Sequence, residues 1–341
     1  MDKITISKPD DFHVHFRQGE LMKAVLPSTL KWFGRALAMP NLRPKPVLDT
    51  RDAKRYRGEI TAAAKEAGHP DFEPLMAIQL TDKTKPRGIK HAQQAGVIAA
   101  KVYPIGVTTN SDNGVRSLKS CALTLQAMQD CGMVLSLHGE KPGVFCLDRE
   151  REFLGVLDWL VESFPSLRIV LEHITTFQAV AKVINLPETV AATITVHHLF
   201  LTLDDIIGGG LSPHNFCKPV AKRESDREAL RHAVLWGNPK FFLGTDSAPH
   251  PRDRKECASG CAGVFTAPVA MPLLAQFFEE HAGKNWRKGL EEFSSLHGAK
   301  FYGLPKNSGK LTLIRREWEI PGEYGSVVPF KAGEKLRWQM E

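Results

Sequence analysis

Asp11-Phe12-His13-Val14-His15-Phe16-Arg17 is the stretch on which the reading of this chain turns. Its residues alternate. In an extended strand Phe12, Val14 and Phe16 fall on one side, and His13 and His15 fall on the other. Two imidazoles on one strand face can reach a single ion, and neutral imidazole is the commonest protein ligand for transition metals. The pattern equally fits a half-exposed strand whose histidines meet water, so the rest of the chain has to choose. Arg17 continues the histidine side just past the strand end, where a guanidinium can meet an anion.

Beyond that stretch, short apolar runs alternate with helical ones. Strands are expected at Phe33–Met39, Pro74–Leu80, Val97–Tyr103, Met133–His138, Arg168–His173, Val190–Val196 and Phe241–Asp246. Helical spacing marks Thr50–Ala67, Thr84–Ala95, Leu118–Cys131, Glu150–Phe164, Thr176–Leu186 and Ser225–Trp236, several of them closed by Gly or Pro. Eight strands with helices between most of them predict an α/β fold, a (β/α)8 TIM barrel with long loops at the C-terminal strand ends. One barrel domain over residues 1–341 is expected, with the tail after about 310 packed outside it. A strand is expected in that tail at Leu311–Arg315.

Composition narrows the function. Of 341 residues, 43% are apolar and 24% charged, as in a globular protein with a proper core. The net charge of +7 is scattered among acids rather than gathered in a basic run, which speaks against a nucleic-acid partner. No apolar stretch is long enough to span a bilayer, and the N-terminus lacks an apolar signal core, so a cytoplasmic protein with reduced cysteines is expected. Cys257 and Cys261 sit in a Gly/Ser-rich loop and are either metal ligands or, more simply, plain loop residues.

In a barrel the candidate chemistry converges. His13 and His15 lie on the first strand, Asn41 follows the second, Lys101 lies in the fourth, His138 ends the fifth, His173 the sixth and Asp246 the eighth. Active sites of such barrels form at that end. Lys101 sits in an apolar run, where an unpaired ammonium is costly to bury. Either it snorkels to solvent, or its neutral amine takes up CO2 and becomes a two-oxygen carbamate able to bridge metals. Asp246 could ligate a metal, shuttle a proton or cap a helix. The loop Pro104–Gly114, rich in Gly, Thr, Ser and Asn, is either a plain connection or a lid.

These positions, with Asp11–Arg17, Met39–Leu42, Ala100–Pro104, Leu137–Glu140, Leu171–Thr176, Leu243–Pro251 and Gly260–Gly263, resemble the amidohydrolase superfamily and, within it, the shorter bacterial dihydroorotases. The resemblance runs through nearly the whole chain in order. It implies zinc-dependent, reversible interconversion of L-dihydroorotate and N-carbamoyl-L-aspartate, a step of de novo pyrimidine (UMP) biosynthesis, by a homodimer. It places His13, His15 and Asp246 on one zinc and His138 and His173 on a second, with Lys101, as N6-carboxylysine, bridging the two. A hydroxide shared by the ions is the implied nucleophile, with Asp246 as general base and then acid. Arg17, Asn41 and His250 are implied to bind the substrate carboxylate, backbone groups at Lys218 and Ala262 the ring amide, and Thr108 and Thr109 the lid tip. Lys218 stands where relatives are expected to carry an apolar residue. The resemblance assigns no metal to His197 or His198, which read as core or supporting groups. A hydantoinase- or allantoinase-like enzyme would keep the metal ligands but need other carboxylate binders, and a catalytically silent partner barrel would have lost ligands.

Overall fold

The computed structural model describes residues 2–108 and 110–341. Strand β1 (Lys3–Ser7) lies outside the barrel. The barrel strands are β2 (Asp10–Val14), β3 (Arg35–Ala38), β4 (Glu73–Leu80), β5 (Val97–Val102), β6 (Val134–His138), β7 (Ile169–Glu172), β8 (Val190–Ile194) and β9 (Phe241–Leu243). Each pairs in parallel with the next, in sequence order. The seam between β2 and β9 is drawn together just above the strands, where Asp246 N–H donates to the His13 carbonyl at 2.8 Å and His15 N–H to Ser247 at 3.0 Å. The expected eight-stranded α/β barrel is therefore the observed fold.

Local chemistry explains the helices. Asp49 caps Thr50–Glu66 by accepting from Asp52 N–H, and Thr176 caps Phe177–Asn185 from Ala179 N–H. Gly132, at φ +70°, closes Ala122–Cys131 in the left-handed conformation. The helix Gly19–Trp32 was not foreseen. Its apolar face (Met22, Val25, Leu26, Leu30) has helical spacing, but Pro27 interrupts the pattern. Two expected helices are shorter or broken: Leu118–Cys121 is a 3₁₀ turn, and the 149–163 region divides into Arg149–Phe153 and Gly155–Ser163. The expected tail strand is longer. β10 (Lys310–Glu319) pairs antiparallel with β1 and with β11 (Lys335–Met340) to make a three-stranded sheet.

The barrel interior is built in levels. Phe12, Leu37, Leu75, Ala77, Ala99, Val134, Val170, Ala191 and Phe242 form one apolar cluster. Tyr302, from the helix His297–Tyr302, stacks on Phe12 with ring centroids 4.7 Å apart. Strand residues of like parity share a face, so the next inward positions are Lys101, Ser136, Glu172, Thr193 and Gly244. The polar site rests on this apolar floor.

The opening strand departs from simple alternation. Asp11 pairs with Ala36 and Val14 with Ala38, so Phe12 and His13 together face the single residue Leu37, a β-bulge. Phe12 joins the barrel interior, whereas Val14 and Phe16 pack in the cluster between strands and helices. The three apolar residues therefore do not share a face. The Asp11 carboxylate accounts for the kink: Oδ1 accepts His13 N–H at 3.1 Å, supplying the partner that a regular ladder would have given.

Candidate active site

The bulge turns His13 inward beside His15. Across the seam, the same Asp11 carboxylate accepts Thr245 N–H at 2.9 Å and Thr245 Oγ1–H at 2.6 Å, fixing the segment that carries Asp246. Gly244 is needed there: a Cβ would lie 2.9 Å from His13 Cβ and 2.8 Å from Thr193 Cγ2. His13 Nε2 and His15 Nε2 converge on one Asp246 oxygen, at 3.4 and 3.1 Å. His13 Nδ1 faces Glu172 Oε2 at 2.9 Å, the hydrogen bond that leaves Nε2 unprotonated for a metal. Glu172 also accepts from Thr193 and Ser136 hydroxyls.

The opposite wall carries Lys101, His138 and His173. Lys101 is fully buried, and its Nζ has no hydrogen-bond partner among the described residues. Burial lowers its pKa to about 8, against the opposing pull of Glu172 and Asp246. His138 Nε2 lies 2.6 Å from Glu140, leaving Nδ1 for other work. His173 Nδ1 is buried without a partner among the described residues. The His173 ring lies between those of His13 and His138, with centroids 5.1 and 4.7 Å away. Thus side chains from five strands meet at one place.

Burial lowers the pKa of His15 to about 4 and shifts His138 and His173 down as well, so all three stay neutral with lone pairs free. Burial alone would raise Asp246, but under acid conditions positive charge on the facing imidazoles, with the hydrogen bond to His15, more than offsets it and holds the carboxyl well below its usual range. Three neutral imidazoles and a carboxylate are an appropriate donor set for a divalent transition metal. The ligand atoms of His13, His15 and Asp246 already lie within 4.8 Å of one another.

Above these groups, Arg17, Asn41, Thr108, Lys218 and Ala262 line the mouth. Arg17 Nε donates to the Pro249 carbonyl at 2.9 Å, and Nη2 lies 3.1 Å from His250 Nε2, which also lies 3.1 Å from the Ala262 carbonyl. His250 thus stands beside Arg17, and burial with the Arg17 charge lowers its pKa to about 2. Asn110 Nδ2 donates to the Asn41 carbonyl at 2.9 Å, which ties Asn110 to the mouth. Thr109 lies outside the described residues. Arg17, His173, Asp246 and Asn110 all have φ between +43° and +61°, a conformation costly for non-glycine residues.

Residues 10–316 match the Amidohydrolase family. A dihydroorotase of Nitrosomonas europaea is 48% identical over 99% of this chain and 98% of its own length. The chain belongs to the amidohydrolase family. Within this family it sits among the dihydroorotases, hydrolases of a cyclic amide. The crystal structure of dihydroorotase from Campylobacter jejuni superposes with a TM-score of 0.92 at 38% identity, covering 100% of this chain and 98% of that one. Dihydroorotase from Saccharomyces cerevisiae in complex with 5-fluoroorotic acid gives 0.92 at 37% identity, covering 100% and 99%. Membership in the amidohydrolase family implies a metal cofactor, and the donor set above fits one. Sequence reasoning passed over Asp11 and Tyr103, and it left Glu140 and Glu172 as bare neighbours of the histidines. The signal was present: carboxylates in apolar strands are rarely buried without a partner to orient.

Proposed function

We propose that the chain is a zinc-dependent dihydroorotase, interconverting L-dihydroorotate and N-carbamoyl-L-aspartate in pyrimidine (UMP) biosynthesis. The observation that carries this reading is the convergence of His13 and His15 on one oxygen of Asp246, close to a buried lysine that has no partner among the described residues. His13, His15 and Asp246 would hold one ion, and His138 and His173 the second. Lys101, as its neutral amine, could add CO2 and lose a proton, and the resulting carbamate would offer two oxygens to the ions. Two bound zinc ions supply Lewis acidity for the scissile carbonyl and lower the pKa of a water from 15.7 towards about 7. Asp246 takes the proton of the attacking water and delivers it to the departing ring nitrogen, and ring closure uses the same group in reverse.

Arg17 offers a planar fork to the substrate carboxylate, with Asn41 and His250 as further donors. These three favour dihydroorotate over a hydantoin, which has no carboxylate for them to meet. Backbone groups at Lys218 and Ala262 hold the ring amide, and Thr108 and Thr109 close over the substrate and exclude water. The homodimer and the cytoplasmic location enter the proposal from the family likeness alone. The test is turnover by metal-replete protein of L-dihydroorotate, N-carbamoyl-L-aspartate and hydantoin. Turnover of the first two and neglect of the third supports the reading; preference for hydantoin, or no turnover at all, overturns it.

A further inference from the structure

A second group of metal-ligating side chains lies outside the mouth. His197 and His198, on the turn after β8, approach Cys217, next to the mouth residue Lys218. All three are buried, and one ligand atom from each lies within 4.8 Å of the others. His197 Nδ1 faces Thr266 Oγ1 at 3.1 Å, and its Nε2 is buried with no partner among the described residues. Cys217 Sγ lies 3.4 Å from His198 Nε2, and the Pro219 carbonyl lies 3.3 Å from that sulfur and 3.1 Å from that nitrogen. A tetrahedral zinc with Zn–S of about 2.3 Å and Zn–N of about 2.0 Å has S–N edges of about 3.5 Å. The observed spacings are close to the edges of such a polyhedron.

We propose that His197, His198 and Cys217 form a separate site for one borderline-soft divalent cation, zinc by preference, with the Pro219 carbonyl facing the ion as an oxygen donor. On binding, the Cys217 thiol releases its proton to solvent and a sulfur–metal bond forms. The His198 proton moves from Nε2 to Nδ1, where Thr195 Oγ1 at 2.8 Å accepts it. His197 needs no rearrangement, because Thr266 can take its Nδ1–H. The ion would tie the turn after β8 to the segment that carries Lys218, bracing one wall of the mouth without touching substrate.

Sulfur makes the test specific, because no cysteine belongs to the proposed catalytic ligand set. Full-length protein saturated with cobalt(II) should show a thiolate-to-metal charge-transfer band, and zinc-saturated protein should show a sulfur scatterer at about 2.3 Å in X-ray absorption. Cys217→Ser should abolish both and lower bound metal by one ion per chain. The wild-type measurement decides the matter even where that variant folds poorly. Metal-saturated wild-type protein without a sulfur signal would overturn the proposal, as would a signal that survives in Cys217→Ser. Neither result bears on dihydroorotate turnover, so failure here is distinct from failure of the catalytic reading.

Discussion

At the N-terminal end of the barrel strands, Arg35 grips Asp10 with two prongs, Nε to Oδ1 at 2.8 Å and Nη2 to Oδ2 at 2.7 Å. Asn307 adds a donor to Oδ1 at 2.7 Å. At the C-terminal end, Lys101 is just as buried, yet Lys101 Nζ, His173 Nδ1, Tyr103 Oη and both amide atoms of Gln79 have no partner among the described residues. Both ends remove charge from water; the Arg35–Asp10 pair is satisfied internally, whereas the Lys101 amine finds no partner among the described residues. A fold tolerates unpaired polar atoms where something other than the chain completes them, because each otherwise costs about 1–3 kcal/mol. The comparison divides structural charge from functional charge without reference to any relative.

Substitutions at the two ends should therefore separate rate from stability. The largest effect is expected at the mouth. Asp246→Asn keeps the shape but removes the proton carrier, so turnover should fall about 10²- to 10⁴-fold while the melting temperature changes little. A rate near that of wild type would remove Asp246 from the chemistry. Next comes the opposite end. Arg35→Met strands a buried carboxylate and should cost about 3–5 kcal/mol in denaturant unfolding, with the rate of the folded fraction within about twofold. A large loss of rate without loss of stability would erase the contrast between the ends. The smallest effect belongs to Lys218→Leu. If only its backbone meets the substrate, KM should change by less than about threefold. A larger rise would show that the ammonium itself binds substrate.

How much of this the sequence disclosed follows from the period of each signal. The barrel was legible because its strands are short apolar runs and several helices carry a cap or a glycine stop, as Thr50–Glu66, Phe177–Asn185 and Ala122–Cys131 do. The site was legible because Lys101, His138, His173 and Asp246 stand at strand ends. The bulge at Phe12–His13 was not, because alternation alone assumes a regular ladder, and the side chain that bends it belongs to Asp11, bonded across the seam to residue 245. The pairing of β1 with the tail strand β10 was hidden for a similar reason: the partners are some 300 residues apart in the chain. Glu172 was visible as a letter, but its hydrogen bond to His13 spans 159 positions and exists only in three dimensions.

The central claim is that two metal ions flank a chemically altered Lys101. Crystals of metal-replete protein, with diffraction collected on either side of the zinc absorption edge, test it directly. Two anomalous peaks are expected at the mouth, one among His13, His15 and Asp246 and one beside His138 and His173, with a planar extension of density on Lys101 Nζ between them. A bare lysine side chain with no peak, or with a single one, at that rim would contradict it.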